Sequence, residues 1–507
     1  MHPKVHRKIP ITMATQHPDN ALAASWCGKK FISTTDEIEE AQYCYKTLKC
    51  GEYMWDWEGK FVDESVIDKF FRRYFKFFKK HPLGKDYFLT FRIPNIWEER
   101  GYRLPRIFMN ILSANDFAEE CGLFTPPIFE IILPMTKNED QLIHIQKKFK
   151  QVAELKDKIM HDNRKNKFNQ INIIPLFESV EDLVNVDKVL TKYIQKYKKE
   201  FNEPVKYLRP FIARSDPALN AGLVPAVISA KVALTHIYNI GKKYNVEMFP
   251  IFGTGSLPFR GGVNPETIKE TIKQYAGIRT LTIQSAFRYD YPEERVNSAL
   301  KLIRESLPHL RPDILTPKEI GKVKLMNKIF KAEYKKVIEK LAPFVNKVAN
   351  FIPGRRERML HIGLFGYARG EGKISLPRAI KFTASLYSLG IPPEFIGTGQ
   401  GLKKIKEMGL DGLLEKLYLN LDADLTHAGK YLNKENLSLL AKKIPILKKV
   451  EESVRLTEKY LGKELGPYKH THLLHRNLTS NIYHKMQLKE DFSGEIEQAA
   501  AIRHSLG

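Results

Sequence analysis

Residues 253–262, Gly-Thr-Gly-Ser-Leu-Pro-Phe-Arg-Gly-Gly, set four glycines and one arginine directly after the apolar run 246–252. Glycine tolerates positive φ and close backbone approach, so Gly253, Gly255, Gly261 and Gly262, with Ser256, can turn N–H groups toward an anion. Arg260 adds a fixed fork of donors that fits phosphate or carboxylate oxygens two at a time. The guest that suits this combination is a phosphorylated small molecule; the plainer alternative is a tight surface turn.

Two acids each follow an apolar run. Glu178 closes Ile-Ile-Pro-Leu-Phe-Glu, and Asp216 sits in Ala-Arg-Ser-Asp-Pro-Ala-Leu-Asn-Ala-Gly. On neighbouring strand ends two such carboxylates hold Mg²⁺ or Mn²⁺, with water and substrate oxygens completing an octahedron. Without a partner, Glu178 reads as a helix N-terminal acid and Asp216 as an N-cap before Pro217. His17 lies in Thr-Gln-His-Pro-Asp-Asn, where Pro18 keeps the local backbone extended. A histidine so placed can carry a proton or donate to phosphate. Arg92, Arg260 and Arg288 sit at or near the ends of apolar runs, as does Gln284; Arg209, Arg214 and Arg378 are further candidates.

These residues need elements to position them. Short apolar runs at 9–15, 87–91, 128–133, 171–177, 207–213, 246–252 and 281–283 each end on polar residues and lead into an amphipathic stretch. Between about 128 and 288 they recur roughly every 35 to 43 residues, a strand plus its return helix. An eighth strand falls at 361–368 or 395–396. Such units predict a (β/α)₈ barrel of the TIM type, with the site on loops at its C-terminal rim; an open doubly wound sheet is the alternative. Basic amphipathic stretches at 63–80 and 142–164, the segment 318–350 and the tail beyond 401 predict added helices. No low-complexity linker interrupts the chain, which reads as a single domain over 1–507, with a barrel core at roughly 9–400 and a helical extension at 401–507.

The chain has 507 residues, 43% hydrophobic and 28% charged, with a formal net charge of +24. No apolar run approaches the ~18 residues of a membrane span, and the N-terminus lacks the apolar core of a signal peptide, so a cytoplasmic protein is expected. Four cysteines without a C-x-x-C spacing exclude a zinc or disulfide framework and are expected as small buried hydrophobes. The lysines are spread over helix-like stretches that also carry glutamate. That pattern argues for solvated faces and attraction of anionic substrates, and against a nucleic-acid site.

With these residues in view, the sequence resembles the short archaeal-type branch of the phosphoenolpyruvate carboxylase family over nearly its whole length. Residues 15–20, Thr-Gln-His-Pro-Asp-Asn, resemble the family's N-terminal motif, which puts the catalytic histidine on His17. Pro-Leu-Phe-Glu-Ser at 175–179 and Ser-Asp at 215–216 with Ala-Gly at 221–222 are similar to its two metal-ligand segments, which implies Glu178 and Asp216. The loop 253–262 resembles its glycine-rich loop, with Arg260 on the second arginine, and Leu-Thr-Phe-Arg at 89–92 is similar to the segment of its substrate arginine, Arg92. Leu-Pro-Arg-Ala-Ile at 376–380 and Ile-Arg-His-Ser-Leu-Gly at 502–507 complete seven motifs in the family's order. Phe252, Thr254 and Leu219 stand where the family has a histidine, an arginine and a lysine, so Arg288 or Arg378 is expected to supply the missing contacts. The resemblance implies carboxylation of phosphoenolpyruvate by bicarbonate to oxaloacetate and phosphate, Mg²⁺ or Mn²⁺ as cofactor, and a homotetramer. The alternatives are another phosphoenolpyruvate enzyme on the same barrel, such as a mutase or phosphotransferase, and a non-catalytic scaffold that keeps only the fold.

Overall fold

Eight parallel strands close on themselves in the computed structural model, which describes residues 7–58, 64–98, 101–161, 168–357 and 375–507. In chain order the barrel strands are β1 (Thr12–Thr15), β2 (Glu52–Asp56), β3 (Phe88–Arg92), β4 (Glu130–Leu133), β5 (Asn172–Phe177), β6 (Phe211–Ala213), β7 (Ile251–Gly253) and β8 (Thr280–Ile283). Each pairs with its sequence neighbour, and β1 closes the ring against β8 through Thr12↔Leu281 and Met13↔Thr282. Short two-residue strands, Tyr207–Leu208 and Glu247–Met248, pair outside the barrel just ahead of β6 and β7.

The alternation of the strands explains the layering. Met13, Met54, Ile132, Ile174, Leu176, Phe211, Ala213 and Ile251 form an apolar cluster of their own inside the barrel, while Ala14, Tyr53, Trp55, Ile173 and Ile212 join the large core under the surrounding helices. Below this layer, at the N-terminal ends of the strands, buried Arg209 donates to Glu130 Oε2 at 2.7 Å, to both oxygens of Glu52 at 3.1 and 2.5 Å, and to Thr280 Oγ1 at 3.2 Å. Arg209 thus plugs the end of the barrel opposite the rim and takes no part in a site there.

The strand that completes the eight is β2. Residues 395–396 belong to a 3₁₀ turn, Pro393–Phe395, and its exit, while 361–368 lies outside the described residues. Glu-Tyr-Met-Trp-Asp has no Val, Ile or Thr and begins and ends on acids, so it does not stand out as a strand. It is a strand because Tyr53 and Trp55 pack outward into the core and its two acids find arginines at opposite ends of the barrel.

The added helices are present. Val66–Lys80 and Glu139–Ile159 flank the barrel, the latter starting three residues earlier than expected because the Asn138 side chain accepts from the Gln141 N–H as an N-cap. Pro317–Ala349 opens on a capping box between Thr316 and Glu319. Helix Leu223–Tyr244 corrects the reading that no segment is long and apolar enough to cross a membrane; 83% of its apolar window is buried, as a core helix is. Cys44 and Cys50 are buried as expected, whereas Cys27 and Cys121 are only partly so.

Candidate active site

The polar ends of the strands converge on one pocket at the C-terminal rim. It encloses about 740 Å³ of empty space, its open mouth included, and its lining contains His17, Arg92, Glu178, Asp216, Gly253, Arg260, Gln284 and Arg378. Met54, Leu176 and Phe211 form its apolar floor. Residues separated by up to 361 positions in the chain meet here because every one of them ends or follows a barrel strand or, in the case of Arg378, caps the helix Ala379–Ser388 laid over the rim.

Glu178 directly follows β5 and Asp216 opens the helix after β6, and β5 and β6 are hydrogen-bonded neighbours through Leu176↔Phe211 and Phe177↔Ile212. The Met135 N–H donates to Glu178 Oε2 at 2.8 Å, which orients that carboxylate. The donor set fits a hard divalent cation: two carboxylates on adjacent strand ends, and no cysteine in the lining. Among the described residues no cluster of three or more protein ligands occurs, so water and substrate oxygens would have to complete the shell.

His17 sits between charges. Burial pushes its imidazole pKa well below the ordinary value, Arg92, Arg260 and Arg378 push the same way, and only Asp56 opposes them. The ring is therefore neutral at physiological pH, with Nδ1 3.0 Å from Thr15 Oγ1. In the tautomer that donates from Nδ1 to Thr15, Nε2 carries the lone pair.

Carboxylates hold Arg92, Arg260 and Arg378 in place. Arg92 donates to Asp56 Oδ1 at 2.9 Å and Oδ2 at 2.6 Å and lies 2.9 Å from Glu58 Oε2. Burial works against its charge, but Asp56 and Glu58 outweigh it and raise the pKa above its ordinary value. Glu58 Oε1 also lies 3.4 Å from Arg378 Nη2 and so bridges the two cations. Arg260 donates to Asp19 Oδ2 at 3.0 Å, to Gln284 Oε1 at 2.6 Å and to the Gly507 carbonyl oxygen. Asp56 and Glu58, which hold Arg92, are residues that the sequence reading missed along with β2. The signal that could have found them is the alternation Tyr53, Trp55, Trp57 flanking two acids.

Arg288 is corrected. It leaves the helix after β8 on the outer side of the barrel, where it donates to the Thr15 and Ile283 carbonyls and to Glu40 Oε1 at 2.8 Å, and it does not line the pocket. Of the two arginines expected to replace the family's missing contacts, only Arg378 reaches the pocket.

The glycine-rich loop also works differently from the expectation. Its N–H groups do not form a cradle, because they are used within the protein: Gly255 donates to the Arg260 carbonyl, Gly261 to Pro258, Gly262 to Leu257 and Thr254 to Thr282 Oγ1. Gly255, Ser256, Gly261 and Gly262 lie outside the lining, and Gly253 alone of the four glycines borders the pocket. What the glycines provide is room. A Cβ on Gly255 would stand 2.5 Å from Arg260 Cζ, and one on Gly253 would stand 2.7 Å from the Phe211 ring. Gly261, at φ +121°, holds a conformation closed to other residues. Arg214 also lines the pocket and supports the loop, donating to Tyr275 Oη at 3.1 Å and to the Pro258 carbonyl at 3.4 Å.

Fold and pocket together define a (β/α)₈-barrel enzyme whose rim gathers two acids and four arginines, Arg92, Arg214, Arg260 and Arg378, a set suited to a small anion. Comparison with known proteins makes the class specific. Residues 9–507 match the phosphoenolpyruvate carboxylase family, and the chain belongs to that family. It is 38% identical to the phosphoenolpyruvate carboxylase of Oenococcus oeni over 511 residues, 100% of both chains. It is 37% identical to that of Leuconostoc mesenteroides over 510 residues, 99% of each chain. It is 38% identical to that of the archaeon Metallosphaera sedula over 523 residues, covering 99% of this chain and 100% of that one.

Proposed function

We propose that the rim pocket carboxylates phosphoenolpyruvate with bicarbonate, releasing oxaloacetate and phosphate, and that the chain is a carbon–carbon lyase. The observation that carries this reading is that His17, Arg92, Arg260, Arg378, Glu178 and Asp216 line one cavity in a chain matched to this family over its length.

Glu178 and Asp216 would hold Mg²⁺ or Mn²⁺, which when bound supplies positive charge where the enol oxygen becomes an enolate. Arg260, Arg92 and Arg378 would neutralise the phosphoryl oxygens while bicarbonate attacks phosphorus, breaking the bond to the enol oxygen. Their fixed carboxylate partners keep them oriented before the substrate arrives, which is electrostatic preorganisation. Carboxyphosphate and the enolate of pyruvate result. Neutral His17 would take the carboxyl proton of carboxyphosphate on Nε2, so that it breaks into phosphate and CO₂, and the enolate carbon attacks CO₂. The apolar floor of Met54, Leu176 and Phe211 keeps water from protonating the enolate, which would waste it as pyruvate.

The family likeness supports a homotetramer working in the cytoplasm on free metabolites, with neither nucleic acid nor membrane as a partner. The test is oxaloacetate formation from phosphoenolpyruvate, bicarbonate and Mg²⁺, followed through reduction to malate. Activity should vanish without bicarbonate and on chelation, and return with Mg²⁺ or Mn²⁺. Turnover of phosphoenolpyruvate that ignores bicarbonate would instead identify a mutase or phosphotransferase.

A further inference from the structure

Glu394 is a fully buried acid in the 3₁₀ turn Pro393–Phe395, between the helices Ala379–Ser388 and Thr398–Glu407. Its Oε1 accepts from the Phe259 N–H at 2.8 Å and from Tyr387 Oη at 2.8 Å, while Oε2 is buried with no hydrogen-bond partner. Among the described residues no lysine or arginine forms an ion pair with it. A carboxyl group buried on such terms costs stability, so its place in the fold points to what it holds.

It holds the short turn Pro258–Arg260, in which Pro258 has no N–H and the Arg260 N–H is bonded to the Leu257 carbonyl, so that the Phe259 N–H is the one left for a carboxylate. Phe259 is the residue before Arg260, and the Arg260 guanidinium is stretched to Asp19 and Gln284 on the barrel side. The arginine is thus fixed at its tip by the barrel and at its backbone by the outer helical layer. Phe259 itself packs on Phe382 of that layer, with ring centroids 5.7 Å apart.

We propose that Glu394 is a positioning residue for Arg260: by holding the Phe259 N–H it sets the pitch of the turn, and so the reach of the guanidinium toward the phosphoryl group. This rests on the reading of Arg260 as a phosphate ligand. Glu394 itself does not line the pocket.

The experiment is calorimetric binding of phosphoenolpyruvate, with Mg²⁺ and without bicarbonate, to full-length wild type, E394A, E394Q, R260A and the E394A/R260A double variant. R260A is read first and should weaken binding at least about 10-fold; unchanged binding overturns the Arg260 assignment and this inference with it. Given that loss, E394A should weaken binding by about 10-fold and E394Q, which keeps an acceptor oxygen, by less than about 3-fold. E394A should add less than about 2-fold on the R260A background, because the two act through one group. A fully additive double variant, or E394A binding as wild type does, overturns the proposal. Should E394A fail to fold, E394D takes its place in the same cycle, since its shortened side chain withdraws the oxygen from Phe259.

Discussion

A histidine that is to take up a proton at neutral pH must be neutral beforehand, and three arginines together with burial keep His17 so. His17→Asn keeps a polar side chain of similar size but has no basic nitrogen, so oxaloacetate formation should fall at least about 100-fold while phosphoenolpyruvate binding changes little. The malate-linked assay and calorimetry separate the two; a variant that still forms oxaloacetate at the wild-type rate would show the ring to be a bystander. Because the imidazole pKa is depressed, the rate profile should show no inflection from this ring between about pH 6 and 8. The contrast with Arg288 lies at the same scale. A basic residue one turn beyond a strand end looks the same in sequence whether its side chain turns in or out. Arg288 turns outward because Glu40 waits there, held also by Arg356 and by the hydroxyls of Tyr53 and Tyr289.

At the scale of elements, seven strands fall within short apolar runs and can be read directly, and with them most of the rim: a polar residue after such a run in a barrel faces the site. β2 could not be read that way. Its end residues are acids that only partners 36 to 157 positions away make tolerable inside a barrel. The glycine loop was located correctly but its physics was not, since nothing local reveals that its N–H groups would be used internally and that the space around Gly255 would be filled by its own arginine. The layer behind that loop carries a pH signature. Burial pushes the Glu394 carboxyl from 4.5 up to about 7, and burial likewise pushes Asp424, hydrogen-bonded to Tyr418 Oη, from 3.8 up to about 6. For acids whose folded pKa is raised, the native state binds more protons than the unfolded state between the two values, so stability falls as pH rises through that window. For Glu394 the window runs from 4.5 to about 7, worth up to about 3 kcal/mol. Glu394→Gln removes the titration. Thermal melts from pH 5 to about 8 should show wild type losing stability relative to this variant as pH rises; parallel curves would refute it.

For the whole molecule, stability and function are kept at opposite ends of one barrel. The Arg209, Glu52 and Glu130 cluster lies beneath the apolar layer, and the rim arginines lie above it. Arg209→Met should therefore leave two buried acids without their cation and cost about 3–5 kcal/mol in denaturant melts, while affinity for phosphoenolpyruvate in the folded fraction stays as it was. A large change in that affinity would mean that the two ends communicate. The same plug has a consequence for traffic. With its lower mouth sealed, the barrel is a dead end, so both reactants enter and both products leave by a single doorway. On the proposed mechanism, CO₂ freed in the pocket would have the apolar floor below it and the departing phosphate between it and the doorway, so a small uncharged gas would meet the enolate before it met the solvent.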